Sequence, residues 1–282
     1  MERYVQQIML GKKISDKQDA LTCLERIKKA GYAGLELNHF MIHPSSLFVK
    51  MLTSFAGMSV GNGGKLDWVS LRKEASFQVI GLHVDLGTLK EDPDDIIRQA
   101  KDFDTHNVII TGMYNFAYQD LNEVKKLAQE LNEQGRILKE NGLDLLYHNH
   151  NVELLNVTKD KKAYDILMEE TDPEYLNFEF DSFWFADGGA DPKIWMKKLG
   201  SRMKLWHIND RGSRLNKKAV TPIIKQDSME LGTGNLDLEG MKKIASDNKV
   251  EAIILESHKN WIDHDPLRSL EVSAAWFDKT SD

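Results

Sequence analysis

Short apolar runs recur along the chain, and most are followed by a longer stretch whose apolar positions repeat at helical spacing. The runs predict strands at Tyr4–Leu10, Gly34–Leu37, Val79–Val84, Val108–Thr111, Asp144–His148, Leu176–Asp181, Met203–Ile208 and Ala252–Glu256. The helical stretches are Lys17–Ala30, Asp95–Phe103, Leu121–Asn141, Lys162–Glu170, Pro192–Leu199, Leu238–Ser246 and Asp265–Phe277. Three of them run into Gly31, Gly142 or Gly200, the expected helix stop, because glycine takes the left-handed cap conformation without steric cost. Strands that alternate with helices, with no Pro/Gly/Ser-rich linker between them, predict parallel β/α units. A closed (β/α)8 TIM barrel over residues 1–282, as a single domain, is favoured over an open doubly wound sheet. No strand leads into a Gly-rich dinucleotide turn, and polar residues gather after many different strands. Within Phe40–Gly64, a helical Ser46–Phe55 and the loop Gly61-Asn62-Gly63-Gly64 precede a further helix near Trp68–Ala75, which reads as an elaborated second unit.

The length of 282 residues suits such a barrel, which typically needs about 250. A formal charge of −7 and the lack of any Lys/Arg-dense stretch beyond a helix face argue against nucleic acid as a partner. No apolar run approaches the roughly 20 residues of a membrane span. Met1–Leu10 carries Glu2, Arg3, Gln6 and Gln7 instead of an apolar signal core, so a cytoplasmic chain without membrane contact is expected. The single cysteine, Cys23, falls in step with Leu21, Leu24 and Ile27 and reads as a packed core thiol.

In barrels of this kind the reactive groups sit at the C-terminal ends of the strands. Read to their ends, the predicted strands finish in Glu36-Leu37-Asn38-His39, His83-Val84-Asp85, Tyr147-His148-Asn149-His150, Glu179-Phe180-Asp181, His207-Ile208-Asn209-Asp210 and Glu256-Ser257-His258. Residues two apart on a strand share a face. If Leu146, Leu205 and Ile254 point into the barrel, then His148 (with His150), His207 and Glu256 follow them, and Asp181 joins them at the rim. Two imidazoles and two carboxylates suit one divalent ion such as Mn²⁺, Co²⁺, Fe²⁺ or Zn²⁺ better than Ca²⁺. Singly, each residue also has a plainer reading as a hydrogen-bonding strand end or a helix cap; the joint pattern favours the metal.

These same segments carry a resemblance. Ala30-Gly31-Tyr32-Ala33-Gly34-Leu35-Glu36-Leu37, Gly81-Leu82-His83, Tyr147-His148-Asn149-His150-Asn151-Val152-Glu153-Leu154 and Phe180-Asp181-Ser182-Phe183-Trp184 resemble the sugar phosphate isomerase/epimerase superfamily of xylose isomerase-like barrels. So do Leu205-Trp206-His207-Ile208-Asn209-Asp210, Leu231-Gly232-Thr233-Gly234-Asn235-Leu236-Asp237 and Ile254-Leu255-Glu256. The resemblance covers nearly the whole chain and implies one divalent ion (Mn, Co, Mg, Fe or Zn) held at the ends of strands five to eight. In ketose 3-epimerases of the superfamily the ligands are Glu, Asp, His and Glu. Asp181, His207 and Glu256 match by type, whereas the strand-five Glu is replaced by His148, with His150 as the alternative. A symmetric exchange between two carboxylates is therefore not expected.

The implied activity is that of an isomerase or epimerase, or a closely related dehydratase, acting on a small sugar, ketose or inosose. The metal would stabilise an enediolate, Glu256 would remove the proton beside the carbonyl, and His148 or His150 would return it. Glu36, His83, Trp184, Asp210 and Arg211 are the expected substrate contacts. Arg211, Arg214 and the Gly232/Gly234 loop form either a phosphate site or a plain turn. The resemblance also implies a homo-oligomer. Two other readings compete: an endonuclease IV-like metal-dependent hydrolase, and a non-catalytic sugar-binding barrel.

Overall fold

The computed structural model describes residues 1–44, 61–215, 218–219 and 221–279, so the helix expected at Ser46–Phe55 lies outside the described residues. Eight parallel strands close into a barrel in the order β1 (Glu2–Gln6), β10 (Ala252–Leu255), β7 (Met203–Ile208), β6 (Leu176–Asp181), β5 (Asp144–His148), β4 (Asn107–Thr111), β3 (Gln78–Val84) and β2 (Gly34–Asn38), while β8 (Asp210–Gly212) and β9 (Asp227–Met229) form a separate two-stranded ribbon. Contacts group the chain into two compact units. One comprises Val79–His207 with Ile244–Ala252 and Met1; the other comprises Glu2–Gln78, Ile208–Lys243 and Ile253–Asp282.

The first unit carries β3 (Gln78–Val84), β4 (Asn107–Thr111), β5 (Asp144–His148), β6 (Leu176–Asp181) and β7 (Met203–Ile208), all but the edges of which lie inside it. Register aligns His83 with Ile109, Thr111 with His148, His148 with Glu179, and Asp181 with His207. Between Phe178 and Glu179 the pairing with β7 slips, a bulge-type irregularity. On β6 the outward set is explicit. Phe178 and Phe180 pack with Tyr164, and Phe180 also meets Phe185 at a centroid distance of 5.1 Å. Pleating then turns Glu179 and Asp181 to the opposite, inner side.

Aspartates start the helices that follow these strands. Asp85, Asp92, Asp120, Asp181 and Asp191 each accept a hydrogen bond from a first-turn N–H, satisfying donors the helix itself cannot. The longest helix, Leu121–Glu140, buries Val124, Leu127, Ala128, Leu131 and Leu138 along one stripe. The sequence pattern did not announce Leu86–Glu91 or Ser182–Asp187, helices of six residues, too short to show a period.

In the second unit β1 (Glu2–Gln6) pairs in parallel with β2 (Gly34–Asn38), Tyr4 aligned with Gly34. The expected first strand, Tyr4–Leu10, is shorter than its apolar run. Gln7–Lys13 winds into a 3-10 helix that starts where the Gln6 side chain accepts from the Ile8 N–H. Asp210–Gly212 and Asp227–Met229 pair antiparallel as the ribbon, an element the sequence reading lacked. Among the described residues no helix is long and apolar enough to cross a membrane.

Gly135, buried in the middle of Leu121–Glu140, marks a close approach. A Cβ there would lie 2.1 Å from the carbonyl oxygen of Tyr175. Alanine normally stabilises a helix interior by about 1 kcal/mol over glycine. Here Gly135→Ala should instead destabilise by more than about 1 kcal/mol, lowering the melting temperature by roughly 2–4 °C per kcal/mol. An unchanged or raised melting temperature would show that the approach relaxes freely.

Candidate functional site

The first unit gathers five of the chemically active strand-end residues. Glu179, fully buried, lies at the centre. Its Oε2 is 3.0 Å from His148 Nδ1, 3.0 Å from His83 Nε2 and 3.2 Å from His207 Nε2. The ring centroids of His148 and His207 are 4.5 Å apart, and His83 lies 5.3 and 5.7 Å from them. One ligand atom from each of His83, His148, Glu179 and His207 falls within 4.8 Å of the others. Burial pushes the Glu179 carboxyl upward, but the electrostatic attraction of the facing His207 and His83 rings and the bonds from His148 and His207 outweigh it. The carboxyl is held well below the usual range.

Asp181 stands two residues further along the same face. Its Oδ1 accepts from the Trp184 N–H and so caps the next helix, while Oδ2 lies 3.9 Å from His207 Nδ1. Its backbone is pinned sideways. Asp181 N–H donates to Asn149 Oδ1 at 3.0 Å, and Asn149 Nδ2 returns a 3.0 Å bond to the Asp181 carbonyl. The amide of Asn149 thus extends the β5–β6 ladder one step and fixes His148 and His150 against Asp181. Trp206 Nε1 donates to Ser182 Oγ, which donates to the His207 carbonyl, locking β7 to the same corner.

His150 is half-buried, its ring 5.1 Å from His148 and 5.6 Å from Trp184. A hydrogen-bond chain lies beneath it. Met113 N–H donates to Tyr118 Oη, Tyr118 and Tyr147 hydroxyls meet at 2.9 Å, and Tyr147 donates to Glu153 Oε1 at 2.7 Å. Glu153 Oε2 accepts from the His150 N–H at 2.9 Å. The loops after β4 and β5 are therefore tied together through one buried carboxylate.

In the second unit Glu256 follows β10 and bonds His258 Nε2 at 2.9 Å, and buried Glu36 accepts from Gln6 Nε2 at 3.4 Å. Asp210 gathers four backbone donors. Gly232, Gly234 and Leu236 approach at 3.0, 2.8 and 3.1 Å, and Arg211 at 2.8 Å. The N–H groups of the Gly232/Gly234 loop are thus directed at Asp210, the arrangement of an organised turn. Gly234 is required there, because a Cβ would lie 2.4 Å from Asp210 Oδ1 and 2.6 Å from the Arg211 carbonyl oxygen. Arg211 pairs with Gln226, and Arg214 with buried Glu230.

Of the residues singled out from sequence, the first unit brings His83, His148, Asp181 and His207 together, with His150 and Trp184 beside them. Sequence reasoning passed over Glu179 as a site residue. The available signal was its inward parity with Asp181, between two phenylalanines of the outer core. It also passed over Tyr118, Tyr147 and Glu153, whose partnership no spacing reveals.

The fold and this cluster define a class. The chain belongs to the xylose isomerase-like TIM-barrel family, whose model matches residues 24–280. Among curated proteins it is similar to the inosose dehydratase of Mesomycoplasma hyopneumoniae, 34% identical over 122 residues, covering 43% of this chain and 36% of that protein. The Clostridium perfringens inosose dehydratase is 31% identical over 145 residues, covering 47% and 46%. The chain thus spans less than half the length of these relatives. A solved sugar phosphate isomerase/epimerase from Parabacteroides distasonis shares the fold with a TM-score of 0.75 and 19% identity, covering 98% of this chain and 93% of that one. The IOLI protein with a bound zinc atom shares it at 0.68 and 14%, covering 100% and 96%.

Burial pushes the Glu153 carboxyl above the usual range, and the bonds from Tyr147 and the backbone pull it only part of the way back. The folded chain then keeps this proton at pH values where the unfolded chain has lost it. The group's contribution is fully favourable below the ordinary value of 4.5 and weakens as pH rises through the raised value. Glu153→Gln cannot ionise. Between about pH 5 and pH 8 its urea midpoint should fall less than that of the wild type. Equal slopes for the two proteins would contradict the raised carboxyl.

Proposed function

We propose that the chain is a metal-dependent enzyme that moves protons beside the carbonyl of a small sugar, ketose or inosose, as an isomerase, epimerase or dehydratase. The observation that carries this reading is the buried meeting of His148, His207 and Asp181 at adjacent strand ends, with Glu179 behind them. The donor set fits a divalent ion of the Mn²⁺, Co²⁺, Fe²⁺ or Zn²⁺ type, because imidazole and carboxylate donors together suit these ions. His148, Asp181, His207 and, from the end of β10, Glu256 are the residues that would hold it. When bound, such an ion supplies Lewis-acid polarisation of substrate oxygens. The similarity to inosose dehydratases supports the substrate class.

The residues of the chain divide the remaining work. Glu256 takes the proton from the carbon beside the carbonyl. His148 has its Nδ1 turned to Glu179, so the strand-five residue left to return a proton is His150, half-buried and anchored from below by Glu153. Trp184 offers the ring face next to His150 on which a sugar can stack. Asp210 shapes the loop of Gly232 and Gly234, and His83, Glu36 and Arg211 supply hydrogen bonds to hydroxyls.

Incubation of the metal-loaded protein in D₂O with a panel of ketoses and inososes tests the proposal, with deuterium uptake and loss of water read by mass. Exchange or dehydration of at least one compound is expected; none with any of them would favour a binding barrel without chemistry. Elemental analysis giving about three zinc ions per chain would favour a nuclease-type hydrolase instead. Glu256→Gln should cut exchange by about 10²–10⁴-fold while leaving the fold intact. Asp181→Asn should lose metal affinity yet still cap its helix, since asparagine is as good a cap as aspartate. Full activity of Glu256→Gln would remove that residue as the base.

A further inference from the structure

Resting on the metal-dependent reading above, we infer that Glu179 is a positioning residue that dictates which ring nitrogen His148 and His207 present to a metal ion. A buried carboxylate only accepts hydrogen bonds, so a ring nitrogen held against it must carry a proton. Oε2 faces His148 through Nδ1 at 3.0 Å and His207 through Nε2 at 3.2 Å. A neutral imidazole has one N–H, so the remaining nitrogens, Nε2 of His148 and Nδ1 of His207, keep their lone pairs. In that tautomer the unprotonated His207 nitrogen is the one that lies 3.9 Å from Asp181 Oδ2. One carboxylate therefore imposes opposite tautomers on two rings and aims both lone pairs away from itself.

Strand geometry explains why one residue can serve two neighbours. On one side Glu179 is in register with His148. On the other the slip between Phe178 and Glu179 sets Asp181, not Glu179, opposite His207, so the ring of His207 reaches back to a carboxylate one layer lower. Oε1 of Glu179 has no hydrogen-bond partner among the described residues, which leaves Oε2 as the single point where the rings converge. Carboxylates that orient ligating histidines typically change metal affinity by about 10–100-fold when removed.

The test reads tautomers and metal separately. Long-range ¹H–¹⁵N spectra of the metal-free wild type should show His148 protonated at Nδ1 and His207 at Nε2. Either ring in the other tautomer overturns the inference, and this readout needs no variant. Zn²⁺ titration against a competing chelator should then show affinity about 10–100-fold weaker in Glu179→Gln, whose single amide oxygen still serves one ring, and weaker again in Glu179→Ala. Equal affinity in the wild type and both variants overturns it. Two Zn²⁺ ions per wild-type chain, the second lost in Glu179→Gln, also overturn it, because Glu179 would then be a ligand. A wild type that shows the stated tautomers but binds no Zn²⁺, Mn²⁺ or Co²⁺ sinks the metal-dependent reading and, with it, the role of Glu179 towards a metal.

Discussion

A charge sealed from water must be met by partners, and Glu179 is where that constraint falls hardest in this chain. Its neighbours in sequence, Phe178 and Phe180, bind β6 to the aromatic packing outside, which leaves the carboxylate no route to solvent. An uncompensated ion in such a place costs several kcal/mol even after relaxation. Three imidazoles meet it within 3.2 Å, and their presence depresses its proton affinity despite the burial. The rings are held because the carboxylate needs them, and the carboxylate stays ionised because the rings are there. Their outer nitrogens face a direction that neither strand nor ring could set alone.

Buried carboxyl groups also organise three of the loops that leave strands. Glu153 collects a tyrosine hydroxyl and the His150 N–H, and Asp210 collects four backbone donors. Glu230 accepts from the Ile262 N–H and Ser269 Oγ, each at 2.8 Å, and from Arg214. Each buried carboxylate satisfies itself by ordering backbone that would otherwise wander. Such bonds restrain the loops, and restraint suits reactions in which a small misplacement of a proton donor costs orders of magnitude in rate.

Much of this was legible in the residue pattern, and the reasons are physical. Parallel strands buried on both faces read as apolar runs, and the polar residues that end them stand out against that background, so His148, Asp181 and His207 could be picked by parity alone. Boundaries failed where one apolar run served two elements: Ile8, Met9 and Leu10 are as buried in a 3-10 turn as they would be in a strand. The ribbon of Asp210–Gly212 and Asp227–Met229 was hidden because its halves are short and far apart in sequence. Glu179 was visible as a residue but not as a role. Nothing in Phe178-Glu179-Phe180-Asp181 reveals that β7 slips in register and brings the ring of a third histidine back onto Glu179. Asp210 was expected at substrate, and its four donors are backbone groups that no sequence motif displays as donors.

The replacement of a strand-five carboxylate by His148 bears on the kind of proton transfer proposed here. Two carboxylates share one ordinary pKa range, so either can give or take a proton, which suits inversion of a single carbon. A carboxylate and an imidazole differ by about 2 units in water, so near neutrality one is a base and the other carries a proton part of the time. With Glu256 taking the proton and His150 giving one, the pair has a direction. A directed pair matches loss of a hydroxyl, where the proton is removed at one atom and delivered to a leaving oxygen at another. On the proposed assignment of Glu256 and His150, such a pair would suit dehydration among the reactions that share the same first step.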